Sequence, residues 1–322
     1  MLAGHQEQQR TFLDAWRSGR IHHAWLLAGP AGIGKATFAR AAAAYVLSAA
    51  AGPTEGLSAD RLDVAPEHRI ARLIAAGSHL DLRRLAREER DSGGLAANIS
   101  VDQVRSLQPV FRSTPGLSPW RVVIVDAIDD MNRAAANAFL KNLEEPPANT
   151  LFLLVSHSPG RLLPTIRSRC RILRFQPLSD HEVRTVLRQE LPETDGAEID
   201  ALVPLAEGSP GRALRFAGLD IDALTRSLTE LTQAPKAQRQ TLALALAKSL
   251  AAKAAQPRYE ALLELAPAFI AARAPQRQGA ELARTLALWE QAQALGAQAL
   301  PLSLDPQSVT FELANLVAAL EG

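Results

Sequence analysis

The sequence of 322 residues predicts an α/β fold, a parallel sheet covered by helices, followed by an all-helical C-terminal region. Three observations carry this. A short apolar run, Ala24-Trp25-Leu26-Leu27-Ala28, leads through the glycine-rich segment Gly29-Pro30-Ala31-Gly32-Ile33-Gly34 into an alanine-rich helical stretch, Lys35 to Leu47. Two more continuous apolar runs end in polar residues, Arg121 to Val125 before Asp126 and Leu151 to Val155 before Ser156. From Ser179 onward the pattern is helical, with no convincing strand. Continuous apolar strands alternating with helices imply a sheet buried on both faces, and such sheets bind ligands at the C-terminal ends of their strands.

The remaining elements follow in order. Arg171-Ile172-Leu173-Arg174-Phe175 reads as a fourth strand flanking the others. Between Gly52 and Ser100 the signal is poorest: the arginine-rich stretch Arg69 to Arg90 reads as a solvated helix face ahead of a DNA-binding patch, and Asp91-Ser92-Gly93-Gly94 as an exposed turn. Ser179-Asp180-His181-Glu182 has the form of a helix N-cap with an acidic first turn. Gly208-Ser209-Pro210-Gly211 separates two short helices. Pro and Gly then punctuate five helical segments, Asp222–Leu231, Lys236–Lys253, Pro257–Ala272, Gly279–Leu295 and Pro306–Leu320. In the fourth, Leu282, Leu286, Trp289 and Leu295 recur at roughly helical spacing, an apolar stripe expected to face a bundle core.

Composition narrows the function classes. Thirty-five basic residues nearly cancel 34 acidic ones, a net charge of +1. That argues against a dedicated nucleic-acid coat protein, though not against a local basic groove. The single cysteine, Cys170, leaves no internal disulfide and no cysteine-rich zinc site, and points to a reducing cytoplasm. No apolar run approaches the length of a membrane span, and the polar start from Gly4 to Arg10 is no signal peptide. A soluble cytoplasmic protein with no membrane partner is expected.

The glycine segment is a phosphate-binding loop with one departure. The pattern G-x-x-x-x-G-K-[ST] places a hydroxyl after the lysine to ligate the Mg²⁺ carried by a nucleotide. Here Ala36 follows Lys35, and the nearest hydroxyl, Thr37, comes one residue late. Gly29, Gly32 and Gly34 let the backbone curl around phosphate, Lys35 reaches the terminal phosphates, and the following helix adds its positive end. Asp126 stands where a carboxylate holds Mg²⁺ through water; read blandly, it caps a helix. An active ATPase follows that aspartate with a glutamate that polarises water, and this chain has Ala127. Losing a general base alone lowers a rate by about 10² to 10⁴. Asp129 and Asp130 are expected to point elsewhere on the exit turn. Two losses, Ala36 and Ala127, fall on one reaction, so the site is read as degenerate: ATP or ADP binding without hydrolysis, no resident metal, and no independent ATPase.

Asn137-Ala138-Phe139-Leu140-Lys141-Asn142-Leu143-Glu144-Glu145-Pro146-Pro147 strongly resembles the helix and turn of bacterial DNA polymerase III clamp-loader subunits. Thr165-Ile166-Arg167-Ser168-Arg169-Cys170 carries the Ser-Arg-Cys motif of the same family. With the phosphate loop and the Asp126 strand, the resemblance covers about residues 20 to 176 in the right order. The decayed nucleotide site makes the chain similar to the delta prime family; relatives of gamma/tau type are expected to keep the lysine-threonine and aspartate-glutamate pairs.

The resemblance implies an AAA+ α/β domain over residues 1–176, a small helical lid over 177–218 and a helical collar over 219–322 that joins sister subunits. It implies that Arg169 acts as an arginine finger, reaching in trans the γ-phosphate bound by a neighbour, where it would otherwise be an ordinary surface arginine. Ser156 matches a polar sensor position, or else is a turn serine. In the second sensor region Gly211 stands where active relatives place an arginine, and Arg212 is one step out of register, about 100° around a helix. The four zinc-binding cysteines of many relatives are missing, so no zinc is expected, and residues 52–100 must be held by packing. His22 and His23, before the first strand, are read as packing and hydrogen-bonding residues, and Cys170 as a small buried residue.

The implied partners are gamma/tau and delta subunits in a hetero-oligomer, with the sliding clamp and primed DNA met through the complex. The implied role is DNA replication, as a subunit of the DNA-directed DNA polymerase III holoenzyme, a nucleotidyltransferase. Three rivals share parts of the pattern: an active AAA+ ATPase of gamma/tau or related type, a stand-alone adaptor built on an inactive AAA+ fold, and a small-molecule kinase. For the last, nothing after the loop supplies a phosphate acceptor site.

Overall fold

The computed structural model describes residues 2–90 and 94–321; Asp91, Ser92 and Gly93 of the expected turn lie outside them. The chain divides into two compact units: Met1–Thr194 with Ala206–Gly211, and Asp195–Leu205 with Arg212–Gly322. Among the described residues no helix is long and apolar enough to cross a membrane.

The first unit is built on five parallel strands, β1 (Ala24–Ala28), β2 (Leu82–Ala86), β3 (Arg121–Asp126), β4 (Thr150–Ser156) and β5 (Arg171–Arg174), in the order β2-β3-β4-β1-β5. The three central strands bury nearly every residue, which is why their sequences read as unbroken apolar runs. Helices fill the connections: α1 (Gln6–Arg17) before β1, α2 (Lys35–Ala51) and α3 (Arg69–Ala75) before β2, α4 (Val101–Arg105) and α5 (Leu107–Arg112) before β3, and α6 (Arg133–Glu144) before β4. The short α7 (Pro164–Arg167) precedes β5, and α8 (Asp180–Glu190) follows it.

Alternate side chains of β1 serve two cores. On one face Trp25 and Leu27 pack with Phe12, Phe38 and Phe175; on the other, Leu26 packs with Phe139 and Phe152. Phe152 is fully buried and meets Phe139 edge-on, their ring centroids 5.5 Å apart.

Two expectations change here. The stretch Arg69 to Arg90 is not one helix face: it contains α3 and the edge strand β2, which has only Leu85 fully buried. Charged residues suit an unpaired sheet edge, and they removed the hydrophobic signal that would have announced a strand. The second unit differs as well: it holds α9 (Gly196–Ala206) up to Leu205, α10 (Pro210–Phe216) from Arg212 onward, α11 (Ile221–Gln233), α12 (Lys236–Leu250), α13 (Gln256–Ala271), α14 (Gly279–Ala299) and α15 (Pro306–Ala318). The buried face of α14 is formed by Thr285, Leu288, Ala292 and Ala299, while Leu286 of the expected stripe is exposed. A Cβ on Gly296 would lie 2.9 Å from the carbonyl oxygen of Leu263, so α14 meets α13 backbone to backbone. Small residues permit that approach; of the expected stripe, Leu282, Trp289 and Leu295 are half-buried and Leu286 is exposed.

In the first unit, Ser179 caps α8 as expected: its hydroxyl accepts from the Glu182 amide, and the Glu182 carboxylate accepts from the Ser179 amide. Truncating the central aromatic, Phe152→Ala, is expected to destabilise the first unit by about 3 to 5 kcal/mol. Urea unfolding measures it; a loss below about 1 kcal/mol would show that this face is not the core.

Candidate functional site

The parallel register brings three sequence motifs to one end of the sheet. Ala28 pairs with Ser156, and Asp126 with Val155, so the loop after β1, Ser156 and Asp126 lie side by side at the C-terminal strand ends. Gly34 closes the loop with φ of 99°, a left-handed conformation that glycine tolerates, and α2 begins at Lys35.

The loop is fastened from all sides. Lys35 is 2 % exposed, and its ammonium donates to the carbonyl of Gly29 at 2.7 Å and to that of Pro30. The Ser209 hydroxyl donates to the Ala31 carbonyl at 3.0 Å, the Gly211 amide to the Gly32 carbonyl at 3.0 Å, and His5 Nε2 to the Ile33 carbonyl at 2.7 Å. Every carbonyl from Gly29 to Ile33 therefore accepts a hydrogen bond from the protein, and the lysine that would meet phosphate is turned onto its own loop. Burial lowers the Lys35 ammonium to about 8, partly offset by the charges of Asp129 and then Asp126. His5 and Ser209 were invisible as site residues in the sequence, since each stood there only as part of a polar start or a helix break.

Gly211 fits as closely as a residue can. A Cβ there would lie 2.9 Å from Gly32 Cα, so no side chain is accommodated, the arginine expected of active relatives included. Arg212 is engaged elsewhere, its Nε 3.3 Å from the carboxylate of Glu264 within the second unit.

The acidic groups are also committed. Asp126 caps no helix; its Oδ2 lies 2.9 Å from a guanidinium nitrogen of Arg84 on the neighbouring β2. Arg87 pairs with Asp130 at 3.2 Å. Asp129 overturns the expectation that it points away: it folds back onto the end of β4, accepting from the Ser156 hydroxyl at 3.0 Å and from the amides of His157 and Ser158 at 2.7 and 3.1 Å. Ser156, fully buried, is thus held by an aspartate. His157 follows it, its pKa lowered chiefly by burial and then by the charge of Lys35. No pattern in the sequence pointed to His157. Thr37 does not replace the missing hydroxyl at the loop; its Oγ1 accepts from Arg40 at 3.3 Å.

These residues fit a phosphate better than a hydrated metal. Lys35 and the loop remain suited to an anion, whereas Ala36 offers no oxygen and Asp126 is neutralised by Arg84.

Arg169 lies away from the loop, at the end of α7, and is about one-third exposed. Its guanidinium pairs with Glu144 at 2.9 Å and donates to the Thr165 carbonyl at 3.0 Å. The two signature segments of the chain, around Glu144 and around Arg169, are joined by this pair. Burial pushes the neighbouring Cys170 thiol up to about 12, so it stays protonated and unreactive. His22 and His23 stack with centroids 4.4 Å apart, and His23 Nε2 bonds the Leu143 carbonyl at 3.1 Å.

A phosphate loop after the first strand of a five-stranded parallel sheet, with polar residues closing the adjacent strands, defines an AAA+ P-loop domain. The model of the family described as DNA polymerase III, delta subunit, matches residues 4–179. The chain belongs to that family, the clamp-loader subunits of delta prime type. It is 40 % identical over 200 residues to the DNA polymerase III subunit delta′ of Pseudomonas aeruginosa, a match covering 61 % of this chain and 56 % of that protein. The Escherichia coli K12 subunit delta′ is 35 % identical over 200 residues, covering 62 % and 56 %. The gamma/tau subunit of Mycobacterium tuberculosis H37Rv is 35 % identical over 207 residues, covering 63 % of this chain and 32 % of that one. The match thus spans little more than half the length of the delta′ relatives.

Two outcomes are expected. In a ¹⁵N NMR titration Lys35 Nζ should lose its proton with a midpoint near 8, well below the ordinary 10.5. Burial favours the neutral amine, so pyrophosphate bound at the loop, which favours the ammonium, must raise that midpoint; a midpoint near 10.5 in the free chain would place the ammonium in water. Gly211→Arg should not create ATP turnover and should cost about 1 to 3 kcal/mol through overpacking against Gly32, read by thermal unfolding; a variant as stable as the native chain would disprove the close approach.

Proposed function

We propose that the chain is a non-hydrolysing AAA+ subunit of the DNA polymerase III clamp loader, assisting the loading of the sliding clamp on primed DNA in the cytoplasm. The observation that carries this is the Arg84–Asp126 pair beside Ala36: the carboxylate that would hold a metal faces a guanidinium, and the other ligand is absent. Ala127 supplies no base for water, and Gly211 supplies no second-sensor arginine. Of the site residues, Gly29, Gly32, Gly34 and Lys35 keep the capacity to receive phosphate, Ser156 is held at its strand end by Asp129, and Thr37 and Asp126 have other partners.

Residues 1–176 are proposed as the AAA+ domain, 177–218 as a lid and 219–322 as the collar that assembles with gamma/tau and delta subunits. Within that assembly Arg169 presents its guanidinium to the γ-phosphate in a neighbour's site, offsetting the charge that develops there during transfer. A finger supplied in trans is worth about 10³ to 10⁵ in rate. In this chain Arg169 is partly exposed and held by a surface carboxylate, so leaving Glu144 for a phosphate carries little desolvation cost.

Reconstitution with gamma/tau and delta subunits tests the reading. The isolated chain should show no Mg²⁺-dependent ATPase. Arg169→Ala should lower the DNA-stimulated ATPase of the assembly while leaving assembly and thermal stability unchanged, since an exposed ion pair contributes only about 0 to 1 kcal/mol. Motor-like turnover by the isolated chain would favour an active ATPase, failure to assemble would favour a stand-alone adaptor, and unchanged activity would remove Arg169 from the mechanism.

A further inference from the structure

The charged groups at the C-terminal strand ends are disposed against the metal ion that a P-loop nucleotide site ordinarily carries. Such an ion takes oxygen ligands and links the phosphates to a hydroxyl after the loop lysine and to a strand-end carboxylate. Here Ala36 offers no oxygen, and Thr37 is engaged with Arg40. Of the three carboxylates nearby, Asp126 and Asp130 face Arg84 and Arg87, and Asp129 takes one hydroxyl and two amides. Among the described residues no three His, Cys, Asp or Glu side chains converge as a cation site requires. The residues present do not fit Mg²⁺.

Arg84 stands on Asp126 instead. It rises from β2 at the position paired with Ile124, two residues before Asp126 on β3. Its side chain is more than half exposed, and one terminal nitrogen meets the carboxylate at 2.9 Å. Its other nitrogens have no protein partner among the described residues. A guanidinium keeps its charge throughout the physiological range and presents a planar fork of donors that matches phosphate oxygens. Arg84 can therefore neutralise Asp126 and still donate to an anion. Lys35 has the same carboxylate for a neighbour, since the charges of Asp129 and then Asp126 favour its ammonium. Any further cation brought to Asp126 is repelled by Arg84.

We infer that this cradle takes a nucleoside diphosphate in its magnesium-free form, and that Arg84 is the residue that decides it. The inference rests on the proposed reading of a site that receives phosphate without hydrolysing it, and adds which form of the ligand enters. Magnesium on a diphosphate masks part of the negative charge that Lys35 and Arg84 attract. It also needs oxygen ligands that Ala36 lacks and the paired carboxylates withhold. The free diphosphate has neither disadvantage. A triphosphate brings further negative charge, and Arg87, the next cation along, is already held by Asp130. In an ordinary P-loop site the preference runs the other way, because the ion bridges the phosphates to the protein.

Isothermal titration of the full chain with ADP provides the test, in excess EDTA and in excess MgCl₂ at matched ionic strength. Binding should be tighter in EDTA, because magnesium holds ADP in the form the site refuses. Arg84→Gln should weaken binding in EDTA by about tenfold, the worth of one charge-assisted hydrogen bond, and should remove the preference for EDTA. Arg84→Lys keeps a positive charge on Asp126 and should retain that preference. Arg84 is exposed on an edge strand, so both variants should melt with the native chain, which thermal unfolding checks. The native comparison decides the matter by itself if a variant does not fold. Binding as tight or tighter in MgCl₂, no saturable binding in EDTA, or an unchanged affinity of Arg84→Gln in EDTA would each overturn the inference. None of these results bears on hydrolysis; the ATPase of the isolated chain, assayed separately, decides whether the non-hydrolysing reading fails.

Discussion

Five consecutive backbone carbonyls, Gly29 to Ile33, each find a donor within the protein, and the behaviour of the nucleotide-type site follows from that. Two donors come from one lysine ammonium and three from elements distant in sequence, namely His5 before α1, Ser209, and the amide of Gly211 at the start of α10. Residues 30–32 are exposed, so water can also meet their carbonyls, and each bond contributes only about 0.5 to 1.5 kcal/mol to holding the loop. A phosphate that engages Lys35 draws it away from two carbonyls, which other donors or water then meet. The outer contacts to residues 31, 32 and 33 hold the shape of the cradle whether or not that exchange takes place.

The strand ends around this loop show the same self-sufficiency in charge. Arg84 and Arg87, on or just after the edge strand β2, meet Asp126 and Asp130 at the end of β3, and Asp129 is turned into a cap for the end of β4. Three carboxylates that could have converged on a cation are instead distributed among arginines and backbone amides. The proposed non-hydrolysing role rests on this arrangement together with Ala36 and Ala127. A lone substitution at either alanine would leave the charges paired as they are.

Much of this architecture was legible in the sequence, and what was not has definite causes. β1, β3 and β4 were found within a residue at each end because burial on both faces imposes unbroken apolar runs on these central strands; β5, an edge strand in which only Leu173 is buried, was legible from Ile172-Leu173 and the following Phe175. β2 was missed because an edge strand needs no such run and this one carries Arg83 and Arg84. The loop and the losses at Ala36, Ala127 and Gly211 were visible as departures from a motif. The clamps on the loop were not, since a histidine near the start and a serine some 200 residues later acquire meaning only when the fold brings them together. Asp129 was misjudged because counting along an exit turn does not reveal that the chain doubles back. The α14 stripe was right only in part: Leu282, Trp289 and Leu295 are half-buried, but the fully buried positions are Thr285, Leu288, Ala292 and Ala299, and the periodicity of large residues says little about a close contact made by Gly296.

The Glu144–Arg169 bridge has one further consequence. Because both ends of the pair lie on separate segments and remain partly wetted, the arginine is already extended and charge-matched before any neighbour arrives. Moving it to another anion would be an exchange of one hydrated acceptor for another, leaving no charge stranded in a dry interior. In the proposed assembly a residue parked this way is available to a neighbour's anion, with the acidic turn serving as its resting berth.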